Sequence, residues 1–316
     1  MNRRNVIILI VIIAAIILPL FVAAVVGSVI LVSREKPFLG GEVALIRIEG
    51  VITAGRSSVS PFGGESGAGA ETIVNVLEQF RKDRSVKSAV IRINSPGGSA
   101  AGSQEVYDEI KRVQRDGKKI TISMGDVAAS GGYYIASAGN RIIADPATLT
   151  GSIGVIMQTT DMHKLLDKIG VDLGTIKSGP HKDMGSISRP LTAEEKALLQ
   201  GMINDVYDQF LTDVSLGRKL PKPEVRKIAD GRVFTGRQAL GIKLVDRLGS
   251  LQDALRAAAD DAGIKGDYSV KEYQRPLGLF EVLFGTSESR LMFDGNSALG
   301  ELAKRLLRAD SGIRMN

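Results

Sequence analysis

The sequence predicts an α/β protein built on a parallel sheet. Short β-branched runs at residues 42–49, 88–94 and 119–124 alternate with stretches whose apolar residues recur at helical spacing. The second and third runs lead into glycine- and serine-rich turns, which is how strands of such sheets hand over to helices.

Taken in order, residues 6–32 contain no charge and are dominated by Ile, Val, Leu and Ala, interrupted singly at Pro19, Gly27 and Ser28. As a helix this stretch is long enough to span a bilayer with some tilt. It exceeds the apolar core of a cleavable signal and lacks a convincing small-residue cleavage site, so a retained transmembrane helix is expected. Arg3 and Arg4 before it favour a cytoplasmic N-terminus and an extracytoplasmic body. Residues 42–49 form the first strand, and 55–69 a Gly/Ser-rich loop. Helix 71–82 follows, with Ile73, Val74, Leu77 and Phe80 on one face. Strand 88–94, helix 104–115 and strand 119–124 then deliver the chain to Ser130. A helix at 132–138, a strand at 141–144, a helix at 161–169 and a strand at 172–176 are expected next. Thr192 with Glu195 forms a capping box for a long helix reaching about residue 216. Shorter helices are expected at 223–229, after Thr235, and at 251–262, and residues 277–284 form an apolar patch. The organisation is therefore an anchor (1–36), one catalytic domain (37–262) and a C-terminal extension (263–316).

Composition narrows the chemistry. The 316 residues are 44% hydrophobic, enough for one large domain with appendages. The net charge of +6 includes Arg3 and Arg4, so the soluble part is only mildly basic and no nucleic-acid role is inferred. Cysteine is absent, which excludes thiol catalysis and suits an oxidising compartment, and two histidines cannot build a polyimidazole zinc site. No metal or cofactor is expected.

Serine chemistry remains. Ser130 stands where a strand turns into a helix, with Gly131 and Gly132 leaving its hydroxyl unobstructed; the alternative is a plain serine N-cap. A hydroxyl needs a base, and Lys182 and His181 compete for that role. A lysine with an ordinary pKa near 10.4 is neutral in about one molecule in two thousand at pH 7, so the site would have to lower it by roughly 2–3 units. Ser152 could hold the neutral amine without adding charge, whereas a carboxylate beside Lys182 would favour the ammonium, so Asp183 is expected to point away. Residues 94–98, Asn-Ser-Pro-Gly-Gly, offer backbone N–H groups; Gly98 and Gly131 together would complete an oxyanion hole, each donor being worth about 3–4 kcal/mol of barrier.

The ordered motifs Asn-Ser-Pro-Gly-Gly, Ala-Ala-Ser-Gly-Gly-Tyr-Tyr, Leu-Thr-Gly-Ser-Ile-Gly-Val, Lys-Ser-Gly-Pro-His-Lys-Asp and Asp-Gly-Arg-Val-Phe-Thr-Gly-Arg-Gln-Ala resemble the signal peptide peptidase A family. The resemblance spans roughly residues 42–255. It implies a Clp protease/crotonase-like fold of repeated ββα-type units behind the anchor, and a Ser/Lys endopeptidase that degrades signal peptides and unfolded chains. Carried over by position, Ser130 is the nucleophile, Lys182 the general base, Ser152 the residue orienting the amine and Gly98 an oxyanion donor, while His181 becomes a neighbour. It also implies a ring-shaped homo-oligomer whose sites take serine and lysine from different protomers. Two other readings are a crotonase-like acyl-CoA enzyme, which would need neither Ser130 nor an anchor, and a non-catalytic membrane scaffold of the same fold.

Overall fold

The alternation of strands and helices does build a parallel sheet. The computed structural model describes residues 41–59 and 65–273. The strand at Gly41–Glu49 (β1) pairs in parallel with Ser88–Ser95 (β6), and β6 with Lys119–Ala129 (β7). Between β1 and β6 lie two small ladders, Ile52–Thr53 (β2) with Ala68–Gly69 (β5) and Ser58–Val59 (β3) with Glu65–Ser66 (β4). β7 is long enough to serve two further strands: its first half pairs with Arg141–Ala144 (β8), its last three residues with Leu149–Gly151 (β9), both in parallel. Val233–Thr235 (β10) closes against β9 antiparallel, Arg247–Leu248 (β11) pairs with β8, and Tyr268–Glu272 (β12) lies beside β1.

Side-chain alternation decides the layers. Ile46, Ile48, Ile91, Ile93, Ile120 and Ile122 point to one face and are buried in one core cluster with residues of the helices at Ala70–Lys82 (α1), Ala100–Arg115 (α2) and Gly131–Ser137 (α3). Val43, Leu45, Val90 and Ile143 point to the other, under Ala254, Leu255 and Ala258 of the helix at Leu251–Asp261 (which becomes α8 in chain order). A sheet covered on both faces explains why its central strands read as nearly continuous apolar runs.

Several boundaries differ from those the sequence predicts. β7 continues five residues past 124, through Gly125 and two alanines of weak strand propensity, because pairing with β9 and with Ser95 holds it extended. α2 starts at Ala100 rather than 104, since the Ser99 side chain accepts a hydrogen bond from the Gly102 N–H (3.1 Å) and caps it inside the glycine motif. The strand expected at 172–176 does not form: after the helix at His163–Ile169 (α4) the chain is exposed and without regular structure, with no neighbouring strand among the described residues to complete a ladder. The long helix, Ala193–Arg218 (α5), carries the predicted capping box, with its Glu195 buried, and packs on the core through Phe210, Leu211 and Val214 of its second half. The helices Lys222–Ile228 (α6) and Gly236–Gly241 (α7) follow, the latter capped by Thr235 as expected.

The apolar stretches 6–32 and 277–284 lie outside the described residues. Among the described residues, no helix is long and apolar enough to cross a membrane.

Candidate active site

The carboxyl ends of β6, β7 and β9 come level because Ser95 pairs with Ala128 and Ala129 with Gly151. In open α/β sheets that edge is where ligands bind. The residue just past each end is one the sequence singles out: the turn at 96–98 after β6, Ser130 after β7, Ser152 after β9.

Ser130 takes φ 53° and ψ −120°, a conformation L-residues rarely adopt and one costing on the order of 1–3 kcal/mol. Its N–H donates to the Gly151 carbonyl at 2.8 Å, and its carbonyl accepts from the Tyr134 N–H at 2.8 Å. Although it occupies the N-cap of α3, its side chain makes no capping hydrogen bond. Ser130 is half-buried and its hydroxyl has no hydrogen-bond partner among the described residues, so it does not serve as a side-chain cap. Ser152, across the β7–β9 pair, also has a positive φ of 50°, and its N–H donates to the Arg232 carbonyl at 2.8 Å. Only four non-glycine residues have positive φ among the described residues, and two of them are these serines.

The turn at 96–98 lies directly against them. Gly97 (φ 99°) has room for no side chain: a Cβ there would stand 2.7 Å from the Gly131 nitrogen and 2.8 Å from the Ser130 Cβ. Gly98 (φ 151°) is equally closed, its Cβ position lying 2.1 Å from the Ile52 carbonyl oxygen. β2 bonds to either side of it, the Ile52 N–H donating to Gly97 and the Ser99 N–H to Ile52, both at 2.9 Å. That ladder leaves the Gly98 N–H out, and the Gly131 N–H likewise has no acceptor among the described residues. The two amides are neighbours, since a Cβ on Gly131 would lie 3.3 Å from the Gly98 nitrogen. A serine hydroxyl and two free backbone donors on one edge are the parts needed for attack on a carbonyl and stabilisation of the resulting anion.

α3 itself is pinned from below. The Tyr134 hydroxyl donates to Asp213 of α5, its ring lies 4.8 Å from that of Phe210, and fully buried Tyr133 donates to the Leu244 carbonyl at 2.9 Å. Burial raises the Asp213 carboxyl above its ordinary range, and burial together with Asp213 raises the Tyr134 phenol.

Lys182 makes no hydrogen bond to this constellation. It is exposed, in the loop between α4 and α5, and its amine makes no hydrogen bond or ion pair among the described residues. His181 is exposed too, with Nε2 3.7 Å from Glu194 of α5. Asp183 makes no ion pair with Lys182, as a base at 182 would require: its carboxylate is engaged by Lys177 (2.6 Å) and by Arg189 (2.7 and 3.0 Å). Those hydrogen bonds, Arg189 first and Lys177 second, hold it well below the usual carboxylate range. Arg189 also donates to both oxygens of Glu195, at 2.6 and 2.8 Å. Sequence reasoning did not single out Arg189, because its partners are fixed by the path of the loop. The short spacing to Asp183 and to the capping Glu195 was the only signal available.

Residues 112–265 match the description Peptidase family S49. Over 186 residues the chain is 45% identical to a protein of Synechocystis sp. that carries a protease name, an alignment covering 59% of this chain and 67% of that one. The chain belongs to peptidase family S49. Protease 4 of Haemophilus influenzae is 37% identical over 232 residues, which is 73% of this chain but 37% of that much longer protein. Among solved structures, a ClpP1 variant from Listeria monocytogenes superposes with a TM-score of 0.44 at 15% identity, covering 67% of this chain and 94% of that one. The S49 match takes in Ser130, Ser152 and Lys182, while the Gly97–Gly98 turn precedes it.

Proposed function

We propose that this chain is a membrane-anchored serine endopeptidase with a Ser130/Lys182 dyad, cleaving signal-peptide remnants and other unfolded polypeptides at sites shared between protomers of a ring-shaped homo-oligomer. The observation that carries the reading is the meeting of an uncommitted, strained Ser130 with the free N–H groups of Gly98 and Gly131 at one sheet edge. In the reaction, the Ser130 Oγ attacks the peptide carbonyl while its proton passes to a neutral Lys182 amine. The oxyanion accepts from the Gly98 and Gly131 N–H groups. Collapse returns the proton to the departing amine and leaves an acyl-enzyme, which water, deprotonated by the same amine, hydrolyses.

The shared site is supported by the exposure of Lys182 and of the arm that carries it. Ile156, Leu165, Ile169 and Ile176 are all more than half exposed on that arm, and such a run of apolar surface marks an interface. Seated against a second copy, the arm would bring the amine to Ser130 and desolvate it, the change that lowers a lysine pKa. The anchor is assigned to residues 6–32 and the catalytic domain to the extracytoplasmic side, on the sequence argument alone.

The test is complementation. Ser130→Ala and Lys182→Ala chains should each fail to cleave an unfolded polypeptide, yet regain activity when co-assembled, because a mixed junction joins an intact serine to an intact lysine. Mixed assemblies that stay inactive would exclude the shared site, and an active Lys182→Ala homo-oligomer would exclude the dyad.

A further inference from the structure

We propose that Arg189 is a positioning residue for the base: its guanidinium locks Asp183 against the first turn of α5, so that Lys182 is presented with no carboxylate beside it. This rests on Lys182 being the base, as proposed above. A lysine followed directly by an aspartate is a poor arrangement for a neutral amine. The adjacent carboxylate is within reach and would stabilise the ammonium, which raises the pKa and removes the free base.

The geometry shows how that pairing is prevented. Asp183 Oδ1 accepts from Lys177 Nζ at 2.6 Å and from Arg189 Nη2 at 2.7 Å, while Oδ2 accepts from Arg189 Nε at 3.0 Å. Both oxygens are taken in the bidentate geometry that suits a guanidinium, and a lysine at 189 could not reproduce it. The other edge of the guanidinium is held by Glu195, whose side chain is 2% exposed and which also accepts from the Thr192 N–H at 2.9 Å to close the helix cap. One residue thus ties the base-bearing loop to the first turn of α5, while the Met162 N–H, at the start of α4, donates to the Ile187 carbonyl of the same loop at 2.7 Å. The charged and titratable groups that flank Lys182 along the chain are Lys177, His181, Asp183 and Arg189 of the loop and Glu194 and Glu195 of α5, and they pair with one another: Lys177 and Arg189 with Asp183, His181 with Glu194, and Arg189 with Glu195. Of these, Asp183 is the carboxylate next to Lys182 in the chain, and Arg189 governs it.

The experiment is the pH dependence of kcat/KM on an unfolded polypeptide, measured on the assembled full-length chain. Arg189→Met leaves Asp183 held by Lys177 on Oδ1 alone, which frees Oδ2 to turn toward Lys182, and should move the acidic limb up by about one unit or more, about tenfold less activity at any pH below the limb. Arg189→Met/Asp183→Asn should return the limb to its original position, which repair of folding alone would not do. An Arg189→Met limb that stays in place overturns the proposal. If Arg189→Met is inactive, the double variant decides: recovered activity supports the clamp, and continued inactivity overturns it. Lys182→Ala separates this from failure of the base assignment. Cleavage by Lys182→Ala with its limb intact removes the assignment, whereas an inactive Lys182→Ala together with an unmoved Arg189→Met limb removes the clamp alone.

Discussion

Ser130 holds a backbone conformation that glycine would adopt without strain, so the residue proposed as nucleophile is locally a destabilising choice. Ser130→Gly should therefore raise the melting temperature, by a stabilisation of about 1 kcal/mol, while abolishing cleavage; Ser130→Ala, which keeps the Cβ and the strain, should abolish cleavage without that gain. Differential scanning calorimetry on the two variants checks the contrast. Gly98 is the converse case. Its Cβ position falls 2.1 Å from the Ile52 carbonyl oxygen, so Gly98→Ala must push the turn away from β2 and displace an N–H that the proposed oxyanion needs. A loss of roughly 10²-fold or more in kcat is expected from steady-state assays. The Asn-Ser-Pro-Gly-Gly and Ala-Ser-Gly-Gly strings made these positions legible, because closely approaching backbones admit few residue types. Ser103, whose hydroxyl donates to the Ser99 carbonyl at 2.8 Å and would lie 2.3 Å from a Cβ on Gly131, gave no such signal.

At the scale of elements, α5 is two helices in function. Its second half is core, and its first half carries the exposed Leu198 and Met202 and receives the loop that carries Lys182 through Glu195, which accepts from Arg189. Thr192→Ala removes the cap hydrogen bond to the Glu195 N–H (3.1 Å) and should cost about 1 kcal/mol, felt as faster amide exchange in the first turn rather than across the core. The Arg189 clamp also has a pH signature. Hydrogen bonds from Arg189 and then from the Thr192 N–H lower the Glu195 carboxyl from 4.5 to about 2. A depressed carboxyl favours the folded clamp fully above its ordinary value, and that contribution is lost as pH falls through the folded one. Pepsin cleavage within 177–192 should therefore rise as pH drops from about 4.5 toward 2, ahead of cleavage in the sheet. The capping box was readable from Thr192 and Glu195 alone, since it is local. The absent strand at 172–176 was misread because Leu173 and β-branched Thr175 and Ile176 are strand-favouring residues whether or not a partner strand exists.

For the whole molecule, the described chain covers both faces of its central strands and leaves the arm, residues 156–190, largely exposed. In the assembly proposed above, Ile176, fully exposed where Ile46, Ile91 and Ile122 are buried, is covered by a second copy. Ile176→Glu together with Ile169→Glu should shift the particle to smaller species in sedimentation velocity and abolish cleavage, while the far-ultraviolet circular dichroism of the sheet domain is unchanged. If the double variant stays assembled and active, the arm is not the interface.

By itself the sequence determined the alternation of strands and helices, the caps at Thr192 and Thr235, and the serine and glycine positions of the site. These depend on periodicity, on local hydrogen bonding and on how much space a backbone crossing leaves, all properties of a few neighbouring residues. Only the tertiary structure decided that Ser130 and Ser152 stand side by side past adjacent strands, that the Gly98 and Gly131 amides converge, and that Asp183 pairs with Arg189 rather than with Lys182. Each of those joins groups from separate segments, and their meeting is fixed by sheet register and by the path of a loop, which no local pattern encodes.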